Sequence, residues 1–372
     1  MSKRLSFIIL YIWLALAASG QGMDTLSFVN IGVKDGLSNN AVTCLLQDHY
    51  GFMWMGTYDG LNRFDGRTFR IFRNQLQDSS SLINNHVTVI KEGPKDQIWV
   101  GTLKGFSRFD YRDFKFHKVY YQPYGTVKTA AIGARIRDVI ADKSDQVMIA
   151  TENYGLLVKD PVTDLFQQIA YQGKAKWNVT AITAYTPGKY FVYLKDQGLF
   201  IYHCKTRTLT LFSSQLPGAT RLLYEPLTRT LLIGTEDGLY RYQENTSRVT
   251  LFSSQLRHCN ITHLLRDKNG VLWISTDGNG LAMLKAGGNP LKDIRMITQG
   301  RDQYHLESAA VYGVYEDNAS RKWVATLRGG VSFLHAHAPL FTTIRKNEFD
   351  PHSLVSNFTL SFCEDKLNNV WI

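Results

Sequence analysis

The sequence predicts an all-β protein, a β-propeller of four-stranded antiparallel blades, with seven blades and a partial eighth repeat. Three observations lead there. One short pattern recurs along the chain at intervals of about 40 to 50 residues. Every copy has the same internal order of strands and turns. A strand-like segment at 26–31 precedes the first full copy and has the character of the strand that the last copy lacks.

The first copy is the clearest. Gln47-Asp48 opens a polar turn ending at Gly51, Trp54-Met55-Gly56-Thr57 forms a strand, and Gly60-Leu61-Asn62-Arg63-Phe64 forms the next. Trp99, Trp273 and Trp323 mark further copies, and Met148, Val192 and Leu232 are assigned the same position in worn ones. Trp371 marks the partial eighth, where the sequence stops. Each unit runs as an apolar strand such as 41–47, an Asp/Gly turn, the Trp strand ending in Gly/Ala-Thr, a Gly turn, a strand ending in an aromatic, and a fourth strand such as 68–72 or 115–119. Short antiparallel strands at this period describe a propeller blade. A single twisted sheet cannot bury both of its faces, so blades stack around an axis.

This geometry assigns Trp54, Trp99, Trp273 and Trp323 to the gaps between blades, where large flat groups fill space. Gly56, Gly101 and Gly234 are expected to permit close approach of a neighbouring strand. These residues make the scaffold and not a site. The 26–31 segment is expected to complete the outer edge of the last blade and so remove an exposed edge. The partial eighth repeat could begin a second propeller or share in closure.

The N-terminus sets the compartment. Lys3 and Arg4, an apolar run at 5–18 and the small residues Ala17-Ala18-Ser19-Gly20 make a secretory signal over residues 1–22, leaving 23–372 as propeller repeats. An uncleaved anchor is the other reading, although the run is shorter than the roughly 20 residues that span a bilayer. The product is expected to be periplasmic. Formal net charge is +10 and falls to +8 without Lys3 and Arg4, with the basic residues scattered, so nucleic acid is not an expected partner. Cys44, Cys204, Cys259 and Cys363 have no disulfide-framework spacing and are expected to be mostly buried thiols. No Cys/His cluster has ligand spacing, so no metal and no cofactor are expected. Asp277-Gly278-Asn279-Gly280 lacks a full calcium ligand set and reads as a plain turn.

The run from Asp35-Gly36-Leu37-Ser38-Asn39-Asn40 through Gly51-Phe52-Met53-Trp54 to Phe64-Asp65-Gly66 resembles the two-component regulator propeller repeat, and the resemblance covers essentially all of residues 23–372. That repeat forms the periplasmic sensor of hybrid two-component systems in Bacteroidetes-type bacteria. The resemblance implies two tandem propellers, a β-sandwich, a membrane helix, a histidine kinase, a receiver and a helix-turn-helix region. It also implies an oligosaccharide ligand that controls glycan-utilisation genes, and a homodimer formed through the whole ectodomain. The sequence stops at Trp371-Ile372 with no kinase motif, so it is read as a fragment, a truncated frame or a decayed gene, with membrane attachment only through further segments.

No nucleophile elbow, phosphate-cradling Gly loop or His-Glu-x-x-His stretch is present, so no catalytic residue is assigned. A ligand is expected where second-to-third-strand turns and blade-to-blade loops converge at one end of the axis. The turns offer Tyr58, Asp59, Tyr154, Glu236, Asp277 and Arg328, extended by Lys104, Glu152, Asn153, Asp196, Asp237 and Asn279. The loops offer Trp177 and Arg221, with Asn39, Asn40, Asn85, His86, Arg135, His258 and Tyr304 beside them. Aromatic rings and planar polar groups are what sugars stack on and bond to. Trp177 and Tyr154 stand out because they lie outside the scaffold positions. Three functions are carried forward: a ligand-sensing half-ectodomain, a structural or dimerising scaffold, and a secreted propeller hydrolase or lyase.

Overall fold

A computed structural model describes residues 26–334 apart from 95, 142–145, 164, 175 and 301–303, together with 346, 353–367 and 369–371. The expected export segment at 1–22 lies outside the described residues.

The innermost strands of seven sheets are Val42–Gln47, Val87–Gly93, Ile136–Ala141, Val179–Thr186, Arg221–Glu225, Asn260–Arg266 and Val311–Glu316. Each lies beside the next, and Val311–Glu316 lies beside Val42–Gln47, which closes the ring. From each inner strand the chain runs outward through successive antiparallel strands. In blade 7 the outer strand is Phe28–Ile31, antiparallel to Val331–Leu334 with Phe28 opposite Leu334 and Ile31 opposite Val331. The seven blades and the expected closure by the N-terminal segment are therefore observed. Cys363–Glu364 and Val370–Trp371, in a separate compact unit of the chain, form a two-stranded sheet of their own.

Seven hydrophobic clusters, one per blade interface, hold the ring. Trp54, Trp99, Trp273 and Trp323 are buried, each in the cluster joining its blade to the next. A Cβ on Gly56 would stand 2.5 Å from Cys44 Sγ and 2.6 Å from Val87 of the next blade, so glycine is the residue that lets these two inner strands approach. Gly101 and Gly234 face Ile136 and Ile261 in the same way.

Two polar devices recur with the repeat. Asp48, Asp267 and Asp317 each accept the indole N–H of the Trp six residues on, at 2.6, 2.8 and 2.8 Å, and their other oxygen accepts backbone N–H groups of the turn. Asp365 and Trp371 repeat the contact at 3.0 Å. The carboxylate thus fixes the turn and the indole together. Blade 2 has Gly93 there, and the Trp99 indole N–H finds no acceptor among the described residues. The second device lies on the inner strands. Thr43, Thr88, Thr180 and Thr262 sit at a β-bulge and Thr220 just before its inner strand, and each hydroxyl donates to a backbone carbonyl in, or just before, the next blade's inner strand. Blades 3 and 7 carry Arg137 and Tyr312 at that position.

Three expectations need correction. Blade 3 has six strands, because Tyr120–Gln122 pairs in parallel with Phe166–Gln168 and Ala130–Ala131 adds beyond it. In blade 4 the Trp position belongs to Phe191 and not Val192. Leu194 opposes Val179 there, as Thr57 opposes Val42, and the register places Phe191 where Trp54 stands in blade 1. A one-residue slip moves a side chain to the other face, and with no Gly-Thr in blade 4 the sequence offers nothing to fix the register. Among the thiols, all free, Cys259 is buried and Cys44 and Cys204 are half-buried, but Cys363 is exposed on the short two-stranded sheet.

The Asp–Trp contact predicts a specific loss. Burial, the largest single influence, pushes the carboxyls of Asp267 and Asp317 up, but the indole, backbone and cation partners outweigh it and hold both below their ordinary value. The stability they contribute is therefore present above the unfolded carboxyl pKa of about 3.9 and is lost as pH falls through the lower native value. Asp317→Ala strands the Trp323 indole and two backbone donors, and is expected to cost about 2–4 kcal/mol in urea unfolding at neutral pH, with the difference from wild type shrinking below pH 4.

Candidate functional site

The seven inner strands enclose an axial channel of about 410 Å³, within the usual ~300–1,000 Å³ of small-ligand clefts. Its lining changes with depth because each inner strand contributes successive residues to successive rings. At the mouth, second-to-third-strand turns bond to the start of their own inner strand. Tyr58 N–H donates to Ala41 O, Leu103 to His86 O, Glu152 to Arg135 O and Leu327 to Ala310 O. The top ring therefore carries Tyr58, His86, Arg135, Glu152 and Asp277. One level down stand Arg137 and Tyr312, in place of the stapling threonines. Below them lie Cys44, Asp138, Arg221 and His263, then Lys91 among the apolar Leu46, Ile140, Leu265 and Tyr315.

The mouth spans several blades. The Tyr58 ring, 42% exposed, stacks on His86 with centroids 4.0 Å apart. Tyr312 donates its hydroxyl to Asp277 Oδ2 at 3.1 Å. Burial first, then Asp277, pushes its phenol up to about 12, and Tyr58 and Arg135 lie within electrostatic reach of it. Arg137 pairs with Glu152. Arg135 is held below its ordinary value, first by burial and then by Arg137, with Glu152 and Tyr58 opposing and Arg221 adding to the depression.

Deeper in the channel Arg221 and Lys91 stand with His263, Cys44 and the carboxylate of Asp138. Arg221 spends its donors on the Thr262 and Thr220 carbonyl oxygens, at 2.6 and 2.9 Å, so its charge meets no carboxylate there. The imidazole of His263 is enclosed by the inner strands and faces Arg221 and Lys91. Burial and those two cations push it down to about 3. Burial likewise pushes the Cys44 thiol up to about 12, so it stands as a neutral thiol. Asp138 accepts the backbone N–H groups of Val139 and Ile182.

Of the residues expected at a site, the structure brings Tyr58, Asp277 and Arg221 to the mouth and channel. Glu236 holds the same turn position in blade 5 and is exposed. Asp59 is engaged by Arg73 at 2.9 Å, and Arg328 is exposed on its turn. Trp177 is placed differently from the expectation of a loop platform. It is 8% exposed, lies in the cluster joining blades 3 and 4, and covers Gly155, whose Cβ would fall 2.1 Å from its ring. That cluster has Met148 at the position other blades give to Trp, so a loop residue supplies the missing bulk. Tyr154 lies beside it, stacked on Tyr121 with centroids 5.2 Å apart. Arg137, Tyr312, Lys91 and His263 were missed in sequence because they lie in strands read as apolar. The available signal was the threonine at the bulge, from which only blades 3 and 7 depart.

The channel also sets a pH response. His263 has a native value of about 3 against about 6.5 when unfolded, so the unfolded chain binds the proton first and stability falls as pH drops from about 6.5 towards 3. The slope is at most about 1.4 kcal/mol per pH unit. His263→Gln is expected to flatten that part of the stability profile, as read by urea midpoints between pH 4 and 7, and an unchanged slope would count against a neutral His263.

Residues 36–59 and 255–278 match the family model described as two component regulator propeller. Each match contains an inner strand, the Asp-fixed turn and the Trp strand. Over 75 residues, 20% of this chain and 5% of the relative, the sequence is 43% identical to Histidine kinase P4 of Formosa agariphila. The extracellular domain of a hybrid two component system from B. thetaiotaomicron superposes with a TM-score of 0.73 at 23% identity, over 93% of this chain and 46% of that one. PorZ, a surface component of the type-IX secretion system of Porphyromonas gingivalis, gives 0.60 at 16% identity, over 81% of this chain and 47% of that one. The chain thus spans about half the length of these two solved structures, and at such identities the likeness is one of fold. The ring described above is a seven-bladed propeller, and its first and sixth blades carry the segments that match the two component regulator propeller model.

Proposed function

We propose that this propeller is a ligand-sensing part of the extracytoplasmic region of a hybrid two-component system, and that its ligand is an oligosaccharide bound at the mouth of the axial channel. The observation that carries the reading is the convergence of the Tyr58 ring, the Tyr312 phenol and the Arg135 and Arg137 guanidinium groups from blades 1, 3 and 7 on one opening. A stacking surface beside planar donors is how sugars are held. The family match to two blades and the kinase relative support the sensor context. The mouth carboxylates Glu152 and Asp277 are engaged by Arg137 and Tyr312, an arrangement suited to binding more than to acid–base turnover. In the parent protein, periplasmic placement and ectodomain dimerisation would carry occupancy of this site towards a kinase.

Titration of the purified chain with size-fractionated digests of plant and host polysaccharides tests the reading calorimetrically. A bound oligosaccharide is expected, and Tyr58→Ala should weaken it tenfold or more by removing the stacking surface, with the thermal midpoint unchanged. Wild-type affinity in Tyr58→Ala, or no binding by any fraction, would count against this mouth as the sensing site.

A further inference from the structure

Among the described residues of the channel and its mouth, Arg135, Arg137, Arg221 and Lys91 outnumber the carboxylates Glu152, Asp277 and Asp138, and this deepens the saccharide reading just given, on which it rests. Five blades place threonine at the start of the inner strand and use it to bond to the next blade. Blade 3 gives up that bond for Arg137, next but one to Arg135. The Nε atoms of both arginines are out of contact with water and meet no acceptor. Two like charges are thus held side by side at the mouth, with Glu152 bonded to Arg137 as their nearby carboxylate. Arg221 bonds only to neutral carbonyl oxygens, and Lys91 projects into the channel within electrostatic reach of His263. The other carboxylates of the region are already engaged: Asp277 by Tyr312, and Asp138 by backbone N–H groups.

Grouping partly desolvated cations costs stability unless an anion joins them. Nothing in the blade requires the arrangement, since five other blades close without it. A repeat that breaks its own packing rule at one point, at a cost, is answering to something other than folding. Guanidinium forks match the planar or tetrahedral oxygens of a carboxylate or sulfate in bidentate fashion. Beside them, the exposed Tyr58 ring offers a face to a sugar.

We propose that the mouth takes an anionic oligosaccharide, with a uronate carboxylate or sulfate ester held by Arg135 and Arg137, the Arg221 and Lys91 charges drawing it inward, and a neighbouring sugar ring resting on Tyr58. The bound anion completes a cation cluster that the fold alone leaves unmatched. Uronate and sulfated glycans share this oxyanion chemistry, and the experiment separates them.

The test uses the whole chain and three saccharide sets of equal length: neutral, uronate-containing and sulfated. The Arg135 side chain makes no hydrogen bond among the described residues, so Arg135→Gln and Arg135→Lys remove or blunt the charge without removing a packing bond. One acidic set is expected to bind at least tenfold more tightly than the neutral set. That preference should fall about tenfold in Arg135→Gln, recover partly in Arg135→Lys, and weaken as sodium chloride rises from 50 to 300 mM. Which acidic set prevails identifies the group. Inorganic sulfate at millimolar concentration serves as a second probe, expected to raise the thermal midpoint of wild type more than that of Arg135→Gln. Equal affinity for neutral and acidic sets, or an Arg135→Gln variant that keeps the acidic preference, overturns the inference while leaving saccharide sensing intact. Sulfate stabilisation that depends on Arg135, with no saccharide bound, upholds the anion site and sinks the sensing reading. Failure of both probes sinks both.

Discussion

Each blade has two apolar faces and too little thickness to hide either, and the architecture of the ring is set by how that surface is disposed of. Seven interfaces form because every face needs a neighbour, and the ring must close because an open one would leave two faces wet. The wedge at most interfaces is a large side chain from the second strand, and for Trp54, Trp273 and Trp323 an aspartate in the preceding turn ties down the indole N–H. That one contact couples turn, strand and interface. A carboxylate placed there is desolvated, and it survives because several donors converge on it. The same crowding between inner strands puts glycine opposite the neighbouring inner strand at Gly56, Gly101 and Gly234.

The scaffold was legible because its requirements repeat. Trp54, Trp99, Trp273 and Trp323, the glycines before the threonines and the 26–31 closing strand all landed where periodicity put them. Legibility failed where one copy substitutes for another by different means. Blade 4 has no Gly-Thr to mark its register, so Phe191 was passed over for its neighbour. Blade 3 has Met148 in place of an indole, and a loop tryptophan fills the space, which made Trp177 look like a platform for a ligand. The extra strands of blade 3 pair through a parallel contact with no sequence period at all.

The site was half legible for a related reason. Turn residues such as Tyr58 and Asp277 are visible as departures from a polar background, and the axis concentrates them. Residues inside strands are not, because a period-two reading treats them as scaffold. Arg137 and Tyr312 become visible only once the bulge is located and its threonine recognised as the rule. Their neighbours His263 and Cys44 show what the channel does to ionisable groups: both are driven to their neutral forms.

The closing strand has a mechanical meaning. Phe28 lies directly opposite Leu334 in an antiparallel pair, so the chain enters and leaves the ring at neighbouring points. Tension applied to the backbone at residues 26 and 334 would load that pair from one end, rung by rung, in the manner of a zipper. Antiparallel strands pulled this way yield one backbone hydrogen bond at a time, and four residues make a short zipper. A propeller tethered so is a side-mounted body on its polypeptide, suited to passing on how it is tilted or occupied and poorly suited to bearing load along the chain.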